Sequence, residues 1–283
     1  MKTIRPADIP TAQMHALMLG SIGPRPIAFA STINRSGQVN LSPFSFFNCF
    51  SSNPPTLIFS PARRVRENTI KHTLENVYEV PEVVINVVNY ALVEQMSLAS
   101  TEYERGVNEF IKAGLTEEPS ELVRPPRVKE SPVQYECKVR RIIPLGSQGG
   151  AGNLIVCEIL LAHFREDIFN EKGMIDPFKL DLVARMGGDW YCRANGDAIF
   201  EVAKPVARKG IGVDALPESI RLSPILTGNH LGKLGNTEQL PDAASLASVE
   251  IPTQFQHLQG HHLAAALLDA NLIAAAWKVL LES

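Results

Sequence analysis

The sequence predicts a mainly β protein that folds as a closed or nearly closed barrel, with inserted helices and a helical C-terminal extension. Two observations support this prediction. Up to about residue 164, many short β-branched or aromatic runs are separated by turn residues. From about residue 197, the chain is rich first in Gly and Pro and then in Ala and Leu. We therefore predict two domains, residues 1–196 and 197–283.

The predicted strands are joined by turns that suggest hairpins. The segment "PIAFASTIN" (residues 26–34) and residues 39–50 flank the turn "RSGQ" and predict one hairpin. A second hairpin is expected around "GSQGGAG", a loop that matches neither common nucleotide-binding glycine pattern and precedes a strand rather than a helix. The β-branched run "VVINVV" is typical of a buried strand. The remaining strands are predicted at 56–60, 83–88, 133–145 and 153–164.

Three helices are predicted between these strands. The first covers residues 68–77, with Asn68 as N-cap, apolar residues at helical spacing and a stop before Pro81. The other two are expected in "YALVEQMSLAS" and in "VNEFIKAG", which ends on Gly114. The Ala- and Leu-rich end of the extension predicts a helix long enough to pack over a barrel or across a dimer.

The composition excludes several classes of protein. The chain has 283 residues, is 45% hydrophobic and carries a net charge of -3, which argues against a generally basic nucleic-acid-binding protein. It has no apolar run of about 18 residues and no signal-peptide core, so we expect a cytoplasmic protein without a membrane span. The four cysteines form no CxxC pair, which favours reduced thiols, mostly in the core.

The clearest signal for a binding site is a basic segment around the start of the first predicted helix. Arg63, Arg64 and Arg66 are followed by Lys71 within the predicted first turn. Cations at a helix N-terminus oppose the helix dipole and lower stability unless an anion shares the site. A phosphate bound by these cations, free backbone N–H groups and a threonine hydroxyl would remove the conflict. The alternative is a solvated charged turn.

The stretch "SPFSFFNCFSSNPP", residues 42–55, combines four phenylalanines with small polar side chains. At the strand period of two, neither of its faces is clearly apolar or clearly polar. A planar polar heterocycle such as an isoalloxazine needs an apolar wall and hydrogen-bond partners around its edge. The stretch would supply both. The alternative is an irregular core strand.

Three histidines are weaker candidates. His163 ends an apolar strand and would be functional beside a hydride acceptor, but a hydrogen-bonded histidine at the barrel rim explains it equally well. His257 and His261 lie four residues apart on a predicted helix, yet no third ligand is evident, so we predict no metal site. The sequence contains no GxSxG or HExxH motif and no Cys/His catalytic signature, so we assign no catalytic residue.

Several segments together resemble the flavin reductase-like, FMN-binding split-barrel family, which includes flavoredoxin-type proteins. They are "RPIAFASTINRSGQVNLSPFSFFNCFSSNPPTLIFS", "KHTLEN", "VVINVV", "CEILLAHFRED" and "ARMGGDWY", within residues 18–195. The resemblance implies a six-stranded Greek-key split barrel that forms a homodimer, with FMN near the subunit interface. Residues 197–283 lie outside it.

The resemblance also implies which residues contact the cofactor. Those along the isoalloxazine, largely through backbone groups, are Ser45, Phe46, Phe47 and Asn48. Those near the ribityl chain or the phosphate are Ser31 and Thr32, and those at the phosphate are Lys71 and Thr73 with Arg63 or Arg64. The family often has an aspartate where this chain has His72, which leaves the lysine and the threonine in place. Arg185, in "ARMGGDWY", is a further candidate near the cofactor end of the barrel.

The function predicted in this way is that of an FMN-binding oxidoreductase. NADH or NADPH would reduce the flavin, which would pass electrons to a second flavin, a partner oxygenase or a metal. A flavin carries the hydride itself, which explains the lack of dedicated acid–base residues. The alternatives are an FMN-binding electron carrier or flavin store without turnover of its own, and a binding module without flavin.

Overall fold

The computed structural model describes residues 1–205 and 209–282 of the chain, so residues 206–208 and 283 of the predicted extension lie outside the described part. The chain divides into two compact units, Met1–Phe200 and Glu201–Ser283. The described strands all belong to the first unit. Across the described part of the chain, no helix combines the length and apolar character needed to cross a membrane.

The first unit is built on a seven-stranded antiparallel sheet with the order β2-β1-β5-β8-β9-β4-β3. These strands are β1 (Ala28–Ile33), β2 (Val39–Phe44), β3 (Phe47–Ser52), β4 (Pro55–Phe59), β5 (Glu82–Val87), β8 (Val133–Pro144) and β9 (Asn153–Phe164). Two short antiparallel pairs are β6 (Glu117–Glu118) with β7 (Arg127–Val128), and β10 (Val183–Arg185) with β11 (Tyr191–Arg193). The prediction of a mainly β fold with inserted helices is confirmed.

The sheet has seven strands rather than six because the strand predicted at 39–50 is two strands. The chain bends at Ser45 and Phe46, so that β2 and β3 lie at opposite edges of the sheet. Pro43 is tolerated in β2 because an edge strand does not need every backbone N–H for pairing. The bend therefore leads the chain from one edge of the sheet to the other.

Five helices accompany this sheet: α1 (Thr11–Ser21), α2 (His72–Glu79), α3 (Val93–Leu98), α4 (Glu109–Ala113) and α5 (Pro177–Leu180). The helices predicted in "YALVEQMSLAS" and "VNEFIKAG" are confirmed as α3 and α4, and Gly114 ends α4 with a left-handed φ of 65°. The predicted N-cap of the first helix is wrong. Asn68 has a φ of 54° and lies in a loop, whereas Lys71 is the N-cap residue of α2.

Strand β1 is buried on both faces, which explains its nearly continuous apolar sequence. Ala28 and Ala30 pack with Phe59 and with Leu74 of α2 on one side. Phe29, between the two alanines, packs into a second core formed with α3 and α4. Because neighbouring strand residues point to opposite faces, this one strand joins two hydrophobic cores.

The cysteines are free thiols, but only half of them are in the core. Cys137 and Cys157 are buried, Cys192 is partly buried and Cys49 is exposed on the edge strand β3. Burial raises the pKa of both the Cys137 and the Cys157 thiol, so these two remain protonated. The prediction of mostly buried cysteines is therefore correct for this pair only.

The second unit has its own hydrophobic core. Its helices are α6 (Glu218–Arg221), α7 (Gly228–Gly235), α8 (Ala243–Ala247), α9 (Gly260–Asp269) and α10 (Ile273–Glu282). The helix expected near the end of the chain is in fact two helices, because Asn271 adopts a left-handed φ of 62° between them. His257 precedes α9 and so does not share a helix with His261, whose Nδ1 lies 2.7 Å from the Ser223 hydroxyl.

Candidate functional site

The loop between β4 and α2, residues 60–71, holds the predicted basic residues in a closed turn, and we call it the basic loop. The backbone N–H of Arg64 donates to the Thr69 carbonyl at 2.9 Å, and that of Asn68 donates to the Arg64 carbonyl at 3.0 Å. The Arg63 guanidinium donates to the side-chain oxygen of Asn68 at 2.6 Å and to its backbone carbonyl at 2.5 Å. Arg63 therefore stabilises the left-handed conformation of Asn68 and closes the loop.

Arg64 and Lys71 converge on one carboxylate. Arg64 Nε lies 2.8 Å and Lys71 Nζ 3.4 Å from the same Oε1 of Glu102. The hydrogen bond from Arg64 and the charge of Lys71 lower the pKa of Glu102, so this carboxylate is ionised. The Glu102 side chain is 59% exposed, and exposed ion pairs of this kind are weak. The two cations thus form an anion-binding arrangement whose occupant here is a readily displaced side chain.

The start of α2 adds backbone donors beside these cations. No side chain among the described residues caps this helix. The first N–H groups of a helix have no partner within the helix and carry its positive dipole end. Lys71, at the N-cap position, lies next to these groups. The chemistry of this donor set, two cations and free helix N–H groups, fits a phosphate.

The glycine-rich turn between β8 and β9 packs directly on the basic loop. The Arg63 N–H donates to the Ala151 carbonyl at 2.8 Å, and the Gly150 N–H donates to the Arg63 carbonyl at 3.0 Å. A Cβ at Gly149 would lie 2.5 Å from the backbone oxygen of Val65, closer than any side chain can approach. The predicted hairpin is confirmed, and Gly149 is required because two loops touch there.

The threonines expected near the phosphate are directed inward. Thr73 is buried and its hydroxyl accepts a hydrogen bond from Asn40 Nδ2 at 3.2 Å. Thr32 is also buried, and its hydroxyl accepts from Asn76 Nδ2 at 3.1 Å. Each of these two hydroxyls is therefore engaged with a buried asparagine, and within the described part of the chain neither hydroxyl is hydrogen-bonded to Arg64 or Lys71.

Ser31 and Thr32 lie on opposite faces of the sheet, although both are implied near the ribityl chain or the phosphate. Ser31 shares its face with Phe29, and Thr32 shares the other with Ala30, as the alternation of a strand requires. The Ser31 hydroxyl is buried and has no hydrogen-bond partner among the described residues. At most one of the two can therefore face a common ligand through its side chain.

The aromatic stretch lies at the edge of the sheet. Ser45 and Phe46 form the bend, Phe47 packs partly on the core, and Asn48 begins the exposed part of β3. Five of the six residues of β3 are exposed, including Phe50 at 63%. An edge strand has unpaired backbone N–H and C=O groups. The combination expected for an isoalloxazine wall, phenylalanine rings beside free strand backbone, is present.

Arg25 is a buried cation that the sequence analysis missed. Its guanidinium donates to the backbone carbonyls of Leu19 at 2.7 Å and Met186 at 2.8 Å, and also to that of Ile22. Burial, and then the charge of Arg185, lowers its pKa. Its Nε lies 3.5 Å from the Ser45 hydroxyl. Arg25 thus connects α1, the β2–β3 bend and the segment after β10. No sequence motif marks these long-range contacts.

Arg185 and His163 each have partners outside the loop between β4 and α2. Arg185 donates to the Gly188 carbonyl at 2.8 Å and stacks on Tyr191, with 4.6 Å from its guanidinium carbon to the ring centroid. His163 Nε2 lies 2.8 Å from Oε1 of Glu136, a fully buried carboxylate. Burial raises the pKa of Glu136. Hydrogen bonds from two backbone N–H groups and the contact with His163 lower it by more, so the net shift of the Glu136 pKa is downward. This geometry favours the interpretation of His163 as a hydrogen-bonded structural residue over a role beside a hydride acceptor.

The comparisons with known proteins agree with this architecture. Residues 20–178 match the model of the flavin reductase like domain, more than half of the chain, so the protein belongs to the flavin reductase-like family. An uncharacterised protein of Aquifex aeolicus is 38% identical over 189 residues, which are 67% of this chain and 94% of that protein. The expected family resemblance is confirmed.

Two solved structures are similar to this chain. One is component B of nitrilotriacetate monooxygenase from Bacillus cereus, with 29% identity, a TM-score of 0.67 and coverage of 71% of this chain and 98% of that chain. The other is the 2-nitrobenzoate 2-nitroreductase of Pseudomonas fluorescens, with 29% identity, a TM-score of 0.61 and coverage of 71% and 96%. Both names describe redox proteins or their components.

Proposed function

We propose that this protein is an FMN-binding oxidoreductase that accepts electrons from NADH or NADPH. The observation that supports this most strongly is the convergence of Arg64 and Lys71 on one anionic oxygen beside the uncapped start of α2. A flavin mononucleotide phosphate would replace Glu102 there and gain charge-assisted hydrogen bonds as well as helix N–H donors. Riboflavin lacks this phosphate and would gain none of these contacts.

Different residues of this chain would bind the flavin phosphate and hold the loop that carries those cations. Arg64 and Lys71 would bind the phosphate, and Arg63 would hold the loop through Asn68. Thr73 would act through its bond with Asn40, which fixes the start of α2. When bound, the flavin supplies the hydride and electron chemistry, while the protein supplies position and electrostatics.

The bend and β3 would hold the ring system. Phe47 is anchored on the core, so the backbone from Ser45 to Asn48 is fixed. The free edge of β3 offers donors and acceptors to the heteroatoms at the ring edge. Arg25 would keep the bend in place through Ser45. Arg185, whose backbone pairs with that of Arg25, would support the same region without contacting the phosphate.

We further infer that the sheet forms the split barrel of the family and that two copies associate. β2 and β3 are consecutive in the chain yet lie at opposite edges of the sheet, which supports a barrel that closes through the bend. Phe50 on β3 and Leu145 after β8 are 63% and 64% exposed. Exposed apolar side chains on and near a sheet edge favour association with a second copy.

The name of one similar structure supports a proposal for the electron acceptor. The name of the Bacillus cereus protein describes it as one component of a monooxygenase. A partner oxygenase is therefore the leading candidate for the acceptor of this protein, ahead of a second flavin or a metal. We propose a cytoplasmic location, because both NAD(P)H and such a partner would be available in that compartment.

The second candidate function is an FMN-binding electron carrier or flavin store. The same donor set would hold FMN in either case, because phosphate binding does not depend on turnover. Anaerobic addition of NADH or NADPH to the FMN-loaded protein distinguishes the two. We expect the visible flavin bands to bleach with one nucleotide at a rate that supports turnover. Bands that persist with both nucleotides would show a carrier or store.

Reversing the charge of Lys71 should release FMN. We expect Lys71→Glu to weaken FMN binding roughly 10–100-fold, because a charge-assisted hydrogen bond becomes a repulsion. Isothermal titration calorimetry with FMN measures this change. Lys129→Glu, the same change at an exposed lysine after β7, is the matched control and should leave the affinity as it is. Equal affinities for the two variants would exclude Lys71 from the phosphate site.

Neutralising Glu102 should have the opposite effect. We expect Glu102→Gln to tighten FMN binding roughly twofold to fivefold, since the phosphate would no longer compete with an exposed carboxylate. Glu104→Gln changes an exposed glutamate two residues away and serves as the control. Weaker binding by Glu102→Gln would mean that Glu102 assists the ligand instead of occupying its place.

A further inference from the structure

A cavity of about 210 Å³ lies between the start of α3 and the β10–β11 hairpin. It is lined on one side by Tyr90, Glu94 and Ser97, on the other by Tyr191 and Arg193, and by two valines. None of the basic-loop residues lines it. An apolar cavity of about 150 Å³ admits benzene. This cavity, which we call the tyrosine pocket, therefore has room for a substituted aromatic ring.

Backbone hydrogen bonds hold the two walls of the tyrosine pocket together. The Tyr90 N–H donates to the Asp181 carbonyl at 2.9 Å, and the Val183 N–H donates to the Val88 carbonyl at 3.4 Å. Tyr191 and Arg193 are two positions apart on β11, so their side chains share one face of the hairpin. The walls thus belong to paired elements and do not depend on a loose loop.

The guanidinium of Arg193 is part of a fixed wall. Asp181 accepts two hydrogen bonds from it, each of 2.8 Å, and this contact lowers the pKa of Asp181. The guanidinium carbon lies 3.8 Å from the centroid of the Tyr90 ring, a close stacking contact. Because Asp181 compensates its charge, Arg193 contributes a flat surface more than a free positive charge.

The rim of the pocket carries a negative charge that is not compensated. Within the described part of the chain, Glu94 forms no ion pair and the Ser97 hydroxyl forms no hydrogen bond. A free carboxylate accepts hydrogen bonds from N–H groups and repels anions. The pocket therefore favours ligands that donate hydrogen bonds over aromatic acids.

We propose that the tyrosine pocket binds an uncharged aromatic ring that carries an amino or amide group. The ring would contact Tyr90 and Tyr191, and its N–H group would donate to Glu94. Adenine and nicotinamide both have this chemistry, so the ligand is either part of a pyridine nucleotide or a free compound of the same class. This proposal does not rest on flavin binding, because the pocket and the basic loop share no residue.

The test is a calorimetric titration of the full chain with adenosine, nicotinamide and, as an anionic ring of similar size, benzoate. We expect at least one of the two neutral compounds to bind, and benzoate to bind roughly tenfold more weakly or not at all. Tyr90→Leu should weaken the neutral ligand roughly tenfold, because ring stacking is lost. Tyr78→Leu, at a similarly exposed tyrosine of α2, should have no effect.

A second variant tests the charge at the rim. Glu94→Gln should reduce the preference for the neutral ligand over benzoate by roughly fivefold while leaving FMN affinity unchanged.

The Tyr90→Leu variant also distinguishes the two sources of the ligand. If NADH binding weakens in this variant, the ligand is a pyridine nucleotide; if only binding of the free ring compound weakens, the ligand is a separate compound. Absence of binding by both neutral compounds, or equal binding of benzoate, would overturn the proposal. So would an unchanged affinity in Tyr90→Leu.

Discussion

The close packing of the basic loop on the β8–β9 turn is the contact on which the candidate site depends. Two backbone hydrogen bonds join Arg63 to Ala151 and Gly150, and Gly149 allows the loops to meet without a side chain between them. The Asn68 side chain adds a bond to the Ser147 carbonyl at 3.0 Å. Because the loop is held at both ends, Arg64 and Lys71 face the same point. A longer side chain at Gly149 would force the loops apart and separate the two cations.

The sequence was most informative where structure is local. β-branched runs predicted the strands, and the position of Gly114 predicted the end of α4, because both depend on neighbours a few residues away. The basic segment stays a predicted anion site, and the structure adds that Arg64 and Lys71 converge on one carboxylate oxygen. The start of α2 was misplaced because asparagine is a favourable N-cap residue, so the sequence alone predicts a cap at Asn68. In the structure, Arg63 and the β8–β9 turn instead hold Asn68 in a left-handed loop conformation.

Contacts between distant segments could not be predicted from one sequence. The inward direction of Thr73 and Thr32 depends on asparagines in other elements, Asn40 and Asn76. The role of Arg25 depends on Met186, 161 residues further along the chain. The tyrosine pocket likewise exists only because the segment before α3 pairs with the segment before β10. None of these pairings leaves a periodic pattern or a motif in the sequence.

A comparison of the affinities for FMN and for riboflavin tests the central claim most directly. Both carry the same isoalloxazine, and only FMN has the phosphate assigned to Arg64, Lys71 and the start of α2. Separate titrations of the protein with each compound should show that FMN binds roughly 10–100-fold more tightly, with the difference shrinking at high salt. Equal affinities would contradict the phosphate site, and binding of neither compound would contradict the flavin assignment as a whole.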